Sequence, residues 1–196
     1  LKRVAVLISG RGSNLRSLIA AEDGSYKIIL VVSNVEGAGG LEKAREADIP
    51  VAVIPHQGKT REAFDGEIDR ALRAAGAEIV VLAGFMRILS DGFVRGWEGR
   101  LINIHPSLLP AYKGTRVHQR VIEAGETQSG ASVHFVVPEL DAGPVIAQTG
   151  VPVHPSDTPE TLAERVLEVE HRLYPEALKL LAKGNVTLKN GLAVFS

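Results

Sequence analysis

Short β-branched apolar runs alternate with helix-like patterns through the first half of the chain, and that alternation leaves few folds open. Residues 3–9, 28–33, 51–55 and 79–83 read as strands, apolar almost throughout and therefore expected to be buried on both faces. Between them, residues 14–22, 41–47 and 60–75 carry helical patterns, with Thr60 as N-cap and Gly76 as the stop. Strand and helix in strict alternation predict βαβ units and a parallel sheet.

The second half is less regular. Residues 101–105 read as a short strand, and residues 131–137 and 145–151 as strands that pair antiparallel across the Pro138 to Pro144 turn. Residues 159–183 place Leu162, Val166, Val169 and Leu173 at helical spacing, with Thr158 as cap and Pro159 in the first turn; Pro175 is expected to kink or divide this helix. The tail, residues 184–196, has mixed strand and turn character and no assigned role. The expected class is α/β, a single-domain Rossmann-like open sheet over residues 1–196. It is mostly parallel with a mixed C-terminal part and helices on both faces, and no linker or repeat marks a boundary.

Composition removes several function classes. A chain of 196 residues buries roughly two-thirds of its unfolded surface without staples. The net charge of -1 gives no long-range pull toward nucleic acid or anionic lipid. With no cysteine, disulfides, thiolate metal sites and a cysteine nucleophile are excluded. The apolar run Val4 to Ile8 ends in a glycine loop and reads as a first strand, not a signal core. No run nears the roughly 18 apolar residues a membrane span needs. A cytoplasmic protein, monomer or homodimer, with neither nucleic-acid nor membrane partner is expected.

The polar residues that interrupt the apolar runs carry the chemistry. Asn103 and His105 are one residue apart on a predicted strand, so their side chains leave on the same face, and Pro106 ends the ladder after them. An amide and an imidazole at a strand's carboxyl end stand where open α/β sheets bind ligands, and with the carboxylate of Asp141 they suit oxyanion stabilisation and proton transfer. Taken singly, His105 also reads as a hydrogen-bonded residue near the core, and Asp141 as a turn-former. Gly10-Arg11-Gly12-Ser13-Asn14-Leu15 has two of the three glycines of the dinucleotide fingerprint, with Leu15 at the third. That weakens a nicotinamide reading and leaves a phosphate-binding turn or a structural turn capped by Ser13. His105, His118 and His134 lack metal-ligand spacing, so no metal is expected. Phe85-Met86-Arg87-Ile88-Leu89 suits either the slot of a flat ligand or core packing; Arg61 and Glu170 read, on their own, as solvated charges.

Together these segments resemble a known family. Asn103-Ile104-His105-Pro106-Ser107-Leu108-Leu109-Pro110, Ser132-Val133-His134-Phe135 and Leu140-Asp141-Ala142-Gly143-Pro144 are similar to motifs of the 10-formyltetrahydrofolate-dependent formyltransferases. Ser9-Gly10-Arg11-Gly12-Ser13-Asn14-Leu15, Leu82-Ala83-Gly84-Phe85-Met86-Arg87-Ile88-Leu89 and Glu170-His171-Arg172-Leu173-Tyr174-Pro175 narrow the resemblance to members serving purine synthesis. The resemblance implies formyl transfer from 10-formyltetrahydrofolate to the amine of glycinamide ribonucleotide, without a metal. It implies that Asn103, His105 and Asp141 are catalytic, with Asp141 beside His105, and that Gly12, Ser13 and Asn14 hold the ribonucleotide phosphate. It further implies that Met86, Arg87, Ile88 and Leu89, with Asn103, bind the folate, that Arg61 meets its acidic tail, and that Glu170 contacts the glycinamide substrate. Gly114-Thr115-Arg116-Val117-His118 departs from the Gly-Leu-His-x-His of many relatives at Thr115 and Arg116. His134, in an alternating strand, is read as bonding a neighbour near the site. The competing readings are hydrolysis of the formyl donor, transfer to methionyl-tRNA and non-catalytic ligand binding. The two rival enzyme types carry an extra N-terminal or C-terminal domain, which this chain, opening on its first strand and ending at Ser196, is not expected to have.

Overall fold

The computed structural model describes residues 1–196, which divide into two compact units, Leu1–Ile102 and Asn103–Ser196. In the first, β1 (Lys2–Ile8), β2 (Tyr26–Ser33), β3 (Val51–Val53) and β4 (Ile79–Leu82) form a parallel sheet in the order β3-β2-β1-β4. Val4 to Ile8 and Ile79 to Leu82 are all buried, as apolar runs covered on both faces must be. The connecting helices are α1 (Ser13–Ala20), α2 (Gly39–Glu46) and α3 (Arg61–Ala74), followed by the short α4 (Asp91–Gly96). α1 packs on α2 and α3 on α4, the pairing expected when right-handed crossovers run outward in both directions from β1 and β4. The order reverses between those two strands, so their carboxyl ends open a crevice.

Helix ends follow the sequence signals. Thr60 caps α3 by accepting from Ala63 N–H at 3.1 Å, and Gly76 takes φ +76° beyond its end. Trp97, fully buried after α4, donates from Nε1 to Asp69 at 2.8 Å, and the guanidinium groups of Arg73 and Arg100 lie 4.0 and 4.6 Å from its ring centroid.

β5 (Leu101–His105) begins in the first unit and ends in the second, where the strand order is β5-β6-β7, with β6 Gln128–Phe135 and β7 Val145–Pro152. The β6–β7 pair is antiparallel, so the expected open, mostly parallel sheet with a mixed C-terminal part is found. A short α5 (Val117–Glu123) precedes β6. The last helix, α6 (Pro159–Ala182), starts at Thr158 with a capping box to Thr161 and covers β6 and β7. Pro175 does not divide it. Proline forfeits one helical hydrogen bond and costs about 3 kcal/mol in a free helix. Here Leu173, Tyr174, Pro175, Ala177 and Leu178 are all buried, and that packing outweighs the break. The tail folds into a hairpin, β8 (Val186–Lys189) with β9 (Leu192–Phe195), turning at Asn190-Gly191 with positive φ at both residues. No helix is long and apolar enough to cross a membrane.

At the start of α6, Arg165 grips Asp157 with two bonds, Nη1 to Oδ2 at 2.7 Å and Nη2 to Oδ1 at 2.9 Å. His154 N–H and the Thr161 hydroxyl donate to the same carboxylate. The guanidinium first, then these donors, hold the Asp157 carboxyl well below the usual carboxylate range. A carboxyl depressed in the folded state contributes stability that is full above its unfolded value, near pH 4, and is lost as pH falls through the folded value. Asp157→Ala is therefore expected to lower the melting temperature at pH 6 to 7. The gap to wild type should begin to narrow only as the pH is taken below about 4 and keep narrowing toward the folded value, which a series of thermal melts across pH would show.

Candidate active site

Three buried side chains meet at the end of β5 and β6. His105, the last residue of β5, is 6% exposed; His134, next to last on β6, is 2%; and Asp141, in the connection from β6 to β7, is 9%. His105 Nδ1 lies 3.6 Å from Asp141 Oδ2, and His134 Nε2 lies 4.0 Å from Asp141 Oδ1. Asp141 Oδ2 also accepts Gly114 N–H at 2.8 Å. The pairing that only the family resemblance implied is thus present.

The sequence achieves this through local irregularities. Asp141 has φ +52°, a left-handed conformation that Asp tolerates better than most residues, and it turns the carboxylate back toward the strands. Gly143, two residues on, passes so close to β6 that an ideal Cβ would sit 1.6 Å from the Phe135 carbonyl oxygen. The β6–β7 register shifts between Val133 and His134, and such a bulge re-aims the side chain beside it.

Both nitrogens of His105 are engaged. Nε2 stands 2.8 Å from the Tyr112 carbonyl, which only accepts, so Nε2 carries a proton. Nδ1 faces the Asp141 carboxylate. Tyr112 itself has φ +53°, strain in a bulky residue at the point where its carbonyl fixes the ring. The loop behind it is pinned by Ser132, whose hydroxyl donates to Ser107 O at 2.7 Å and accepts from Leu109 N–H at 3.0 Å. Gln148 Nε2 adds a bond of 2.9 Å to that hydroxyl.

His134 donates from Nδ1 to the Phe135 carbonyl at 2.9 Å, leaving Nε2 as the acceptor nitrogen, buried and without a hydrogen-bond partner. Burial pushes its pKa down, outweighing the Phe135 bond and Asp141, so His134 is neutral near pH 7. His118, on α5, is also pushed down, by burial and then by His105. Asn103 is half-buried two residues before His105 on β5. Arg116, the substituted position, has φ +51° at the N-terminus of α5 and is exposed.

The other predicted residues fall into place unevenly. Gly12, not Ser13, occupies the N-cap position of α1, with φ +75° and no side-chain cap, so Ser13 does not serve as the cap. The missing third glycine of the fingerprint has a counterpart elsewhere: Gly40 of α2 lies against the loop, its N–H donating to Gly10 O at 3.0 Å. An ideal Cβ on Gly12 would sit 2.7 Å from Gly40 Cα. Met86 and Ile88 are 78% and 63% exposed and Arg87 is exposed, so of the four residues from Met86 to Leu89 core packing describes only Leu89. Glu170 is 9% exposed on α6 and is no solvated charge, whereas Arg61, first in α3, is exposed. No group of three or more His, Asp or Glu side chains is arranged to hold a metal ion.

Sequence reasoning missed the Tyr112 carbonyl and the Gly114 N–H. Both are backbone groups, and only the Gly114 position carries any signal, a glycine shortly after Pro110.

A model of the formyl transferase family matches residues 2–178, and the chain belongs to that family. Among its relatives, phosphoribosylglycinamide formyltransferase of Escherichia coli (strain K12) is 44% identical over 194 residues, 97% of this chain and 92% of that protein. The trifunctional purine biosynthetic protein adenosine-3 of Bos taurus is 53% identical over 96% of this chain, but the chain spans only 19% of its length. The solved structure of the phosphoribosylglycinamide formyltransferase of Coxiella burnetii superposes with a TM-score of 0.94 at 44% identity, covering 99% of this chain and 93% of that one.

Proposed function

We propose that this chain transfers a formyl group from 10-formyltetrahydrofolate to the primary amine of 5-phosphoribosylglycinamide, giving formylglycinamide ribonucleotide and tetrahydrofolate. The observation that carries the reading is the buried His105–Asp141 pair, with Asn103 two residues earlier on the same strand.

In this reaction the amine, once deprotonated, attacks the formyl carbon and forms a tetrahedral oxyanion. Its collapse breaks the bond to the folate nitrogen, which takes up the proton the amine has lost. The Asn103 amide and the His105 imidazolium stabilise the oxyanion, and Asp141 orients His105. Because both ring nitrogens are engaged, His105 Nε2–H turns to the oxyanion by sharing or leaving the Tyr112 carbonyl. Such bonds commonly rearrange only when substrate is bound. Gly12, Ser13 and Asn14 hold the ribonucleotide phosphate at the positive end of α1. Met86, Arg87, Ile88 and Leu89, with Asn103, bind the folate, whose acidic tail meets Arg61. Glu170 contacts the glycinamide substrate.

The test is to mix purified protein with a stable 10-formyl folate analogue and follow deformylation by absorbance, with and without the ribonucleotide. Deformylation that requires the ribonucleotide and yields its formyl derivative is the expected result. Deformylation without it would indicate hydrolysis, and none in either case would indicate another acceptor or a binding role.

A further inference from the structure

The polar chain beneath Met86 closes on itself. Met86 N–H donates to Ser9 Oγ at 2.8 Å, and that hydroxyl donates to Asn34 Oδ1 at 2.5 Å. Asn34, 4% exposed at the end of β2, pairs through Nδ2 with His56 Nδ1 at 3.3 Å. The His56 ring meets Phe64 edge-on with centroids 6.1 Å apart, and Phe64 stacks on Phe85 at 6.4 Å with the rings 7° from parallel. Phe85 and Met86 are neighbours in the chain, so the circuit leaves the main chain at one residue and returns at the one before it. A second anchor holds the far end of this segment: Asp65 of α3, 3% exposed, accepts Ser90 N–H at 2.5 Å.

What lies between the anchors is unusual for apolar residues. Met86 and Ile88 stand largely in solvent, where no packing orders them. A loop of this kind loses conformational freedom when it grips a ligand, and holding its ends beforehand removes part of that cost. The circuit joins the carboxyl ends of β1, β2 and β3 to the loop after β4, spanning the point where the strand order reverses. We propose that Asn34, His56 and Asp65 are positioning residues that keep the Met86 to Leu89 segment preorganised for the formyl donor, an inference resting on the donor-binding role given to that segment above. None of the three need touch the donor.

The test uses Asn34→Ala and His56→Leu, which break the circuit, with His56→Gln, whose side-chain oxygen keeps an acceptor for the Asn34 amide. Asp65→Ala probes the other anchor. Michaelis constants for both substrates, kcat, melting temperature and hydrogen exchange at the Met86 amide are read together. The expected result is a rise in donor KM of about fivefold to tenfold, with kcat and ribonucleotide KM within about twofold of wild type. Exchange at Met86 should quicken, and His56→Gln should recover most of the loss. Unchanged donor KM and exchange would overturn the proposal. So would equal losses in kcat, both Michaelis constants and melting temperature, or no rescue by His56→Gln. If wild-type protein transfers no formyl group at all, it is the functional reading that fails. Met86 exchange in Asn34→Ala then judges the circuit alone, and exchange like that of wild type would overturn it.

Discussion

Replacing His105 with alanine is expected to lower kcat for formyl transfer on the order of a hundredfold or more, while the protein stays folded. The ring is buried at the end of β5, with one nitrogen toward Tyr112 and the other toward Asp141. Alanine removes the charge that would meet the oxyanion and leaves Asp141 its Gly114 bond. Because the proposed mechanism places the lost interaction mainly in the transition state, the fall should appear in kcat more than in either Michaelis constant. Asp141→Asn is the companion. It preserves shape and can still accept from Gly114, but removes the negative charge facing His105. Steady-state kinetics beside circular-dichroism melts separate catalysis from folding. Near-normal turnover in His105→Ala would end the proposed mechanism.

Gly143→Ala should be the most damaging single-methyl change near the site. Its Cβ would lie 1.6 Å from the Phe135 carbonyl oxygen and 2.7 Å from the carbonyl carbon, both backbone atoms of a central strand. That carbonyl also accepts from His134, and Phe135 N–H donates to Pro144 O at 3.1 Å, so strand and loop cannot separate cheaply. Overpacking of this kind costs about 1–3 kcal/mol or more. The loop that yields carries Asp141, and its retreat would draw the carboxylate from His105 and Gly114. A loss of stability together with at least about a tenfold fall in kcat is expected, read by denaturant unfolding and turnover. Gly92→Ala is the control, since nothing lies within 4 Å of its Cβ position, and it should be close to neutral. If Gly143→Ala behaved like Gly92→Ala, the close approach would carry no weight.

Much of the fold was legible because its signals are local. The apolar runs of β1, β2 and β4 and the capped starts of α3 and α6 reflect the fit between neighbouring residues and one backbone conformation. Asn103 and His105 were readable for the same reason, since strand alternation places them on one face. Short elements escaped. α4 and α5 have too few turns to show a period, and the β8–β9 strands are too short for their alternation to stand out despite the Asn190-Gly191 turn. Pro175 goes the other way: its local signal predicts a kink or a break, yet α6 runs through it unbroken because buried packing overrides the signal.

The amino-acid sequence by itself determined the α/β class, the order of the main elements, and the chemical groups available: one strand-end imidazole with its amide, a loop carboxylate and a two-glycine turn. Tertiary structure alone decided that Asp141 meets His105, that His134 is buried neutral beside them, and that Gly40 supplies the close approach absent from the first glycine loop. The physical reason is the range of the forces involved. Propensity and periodicity act over a few residues, whereas these contacts join distant segments whose meeting depends on strand order, on a bulge at His134 and on left-handed turns at Asp141 and Tyr112.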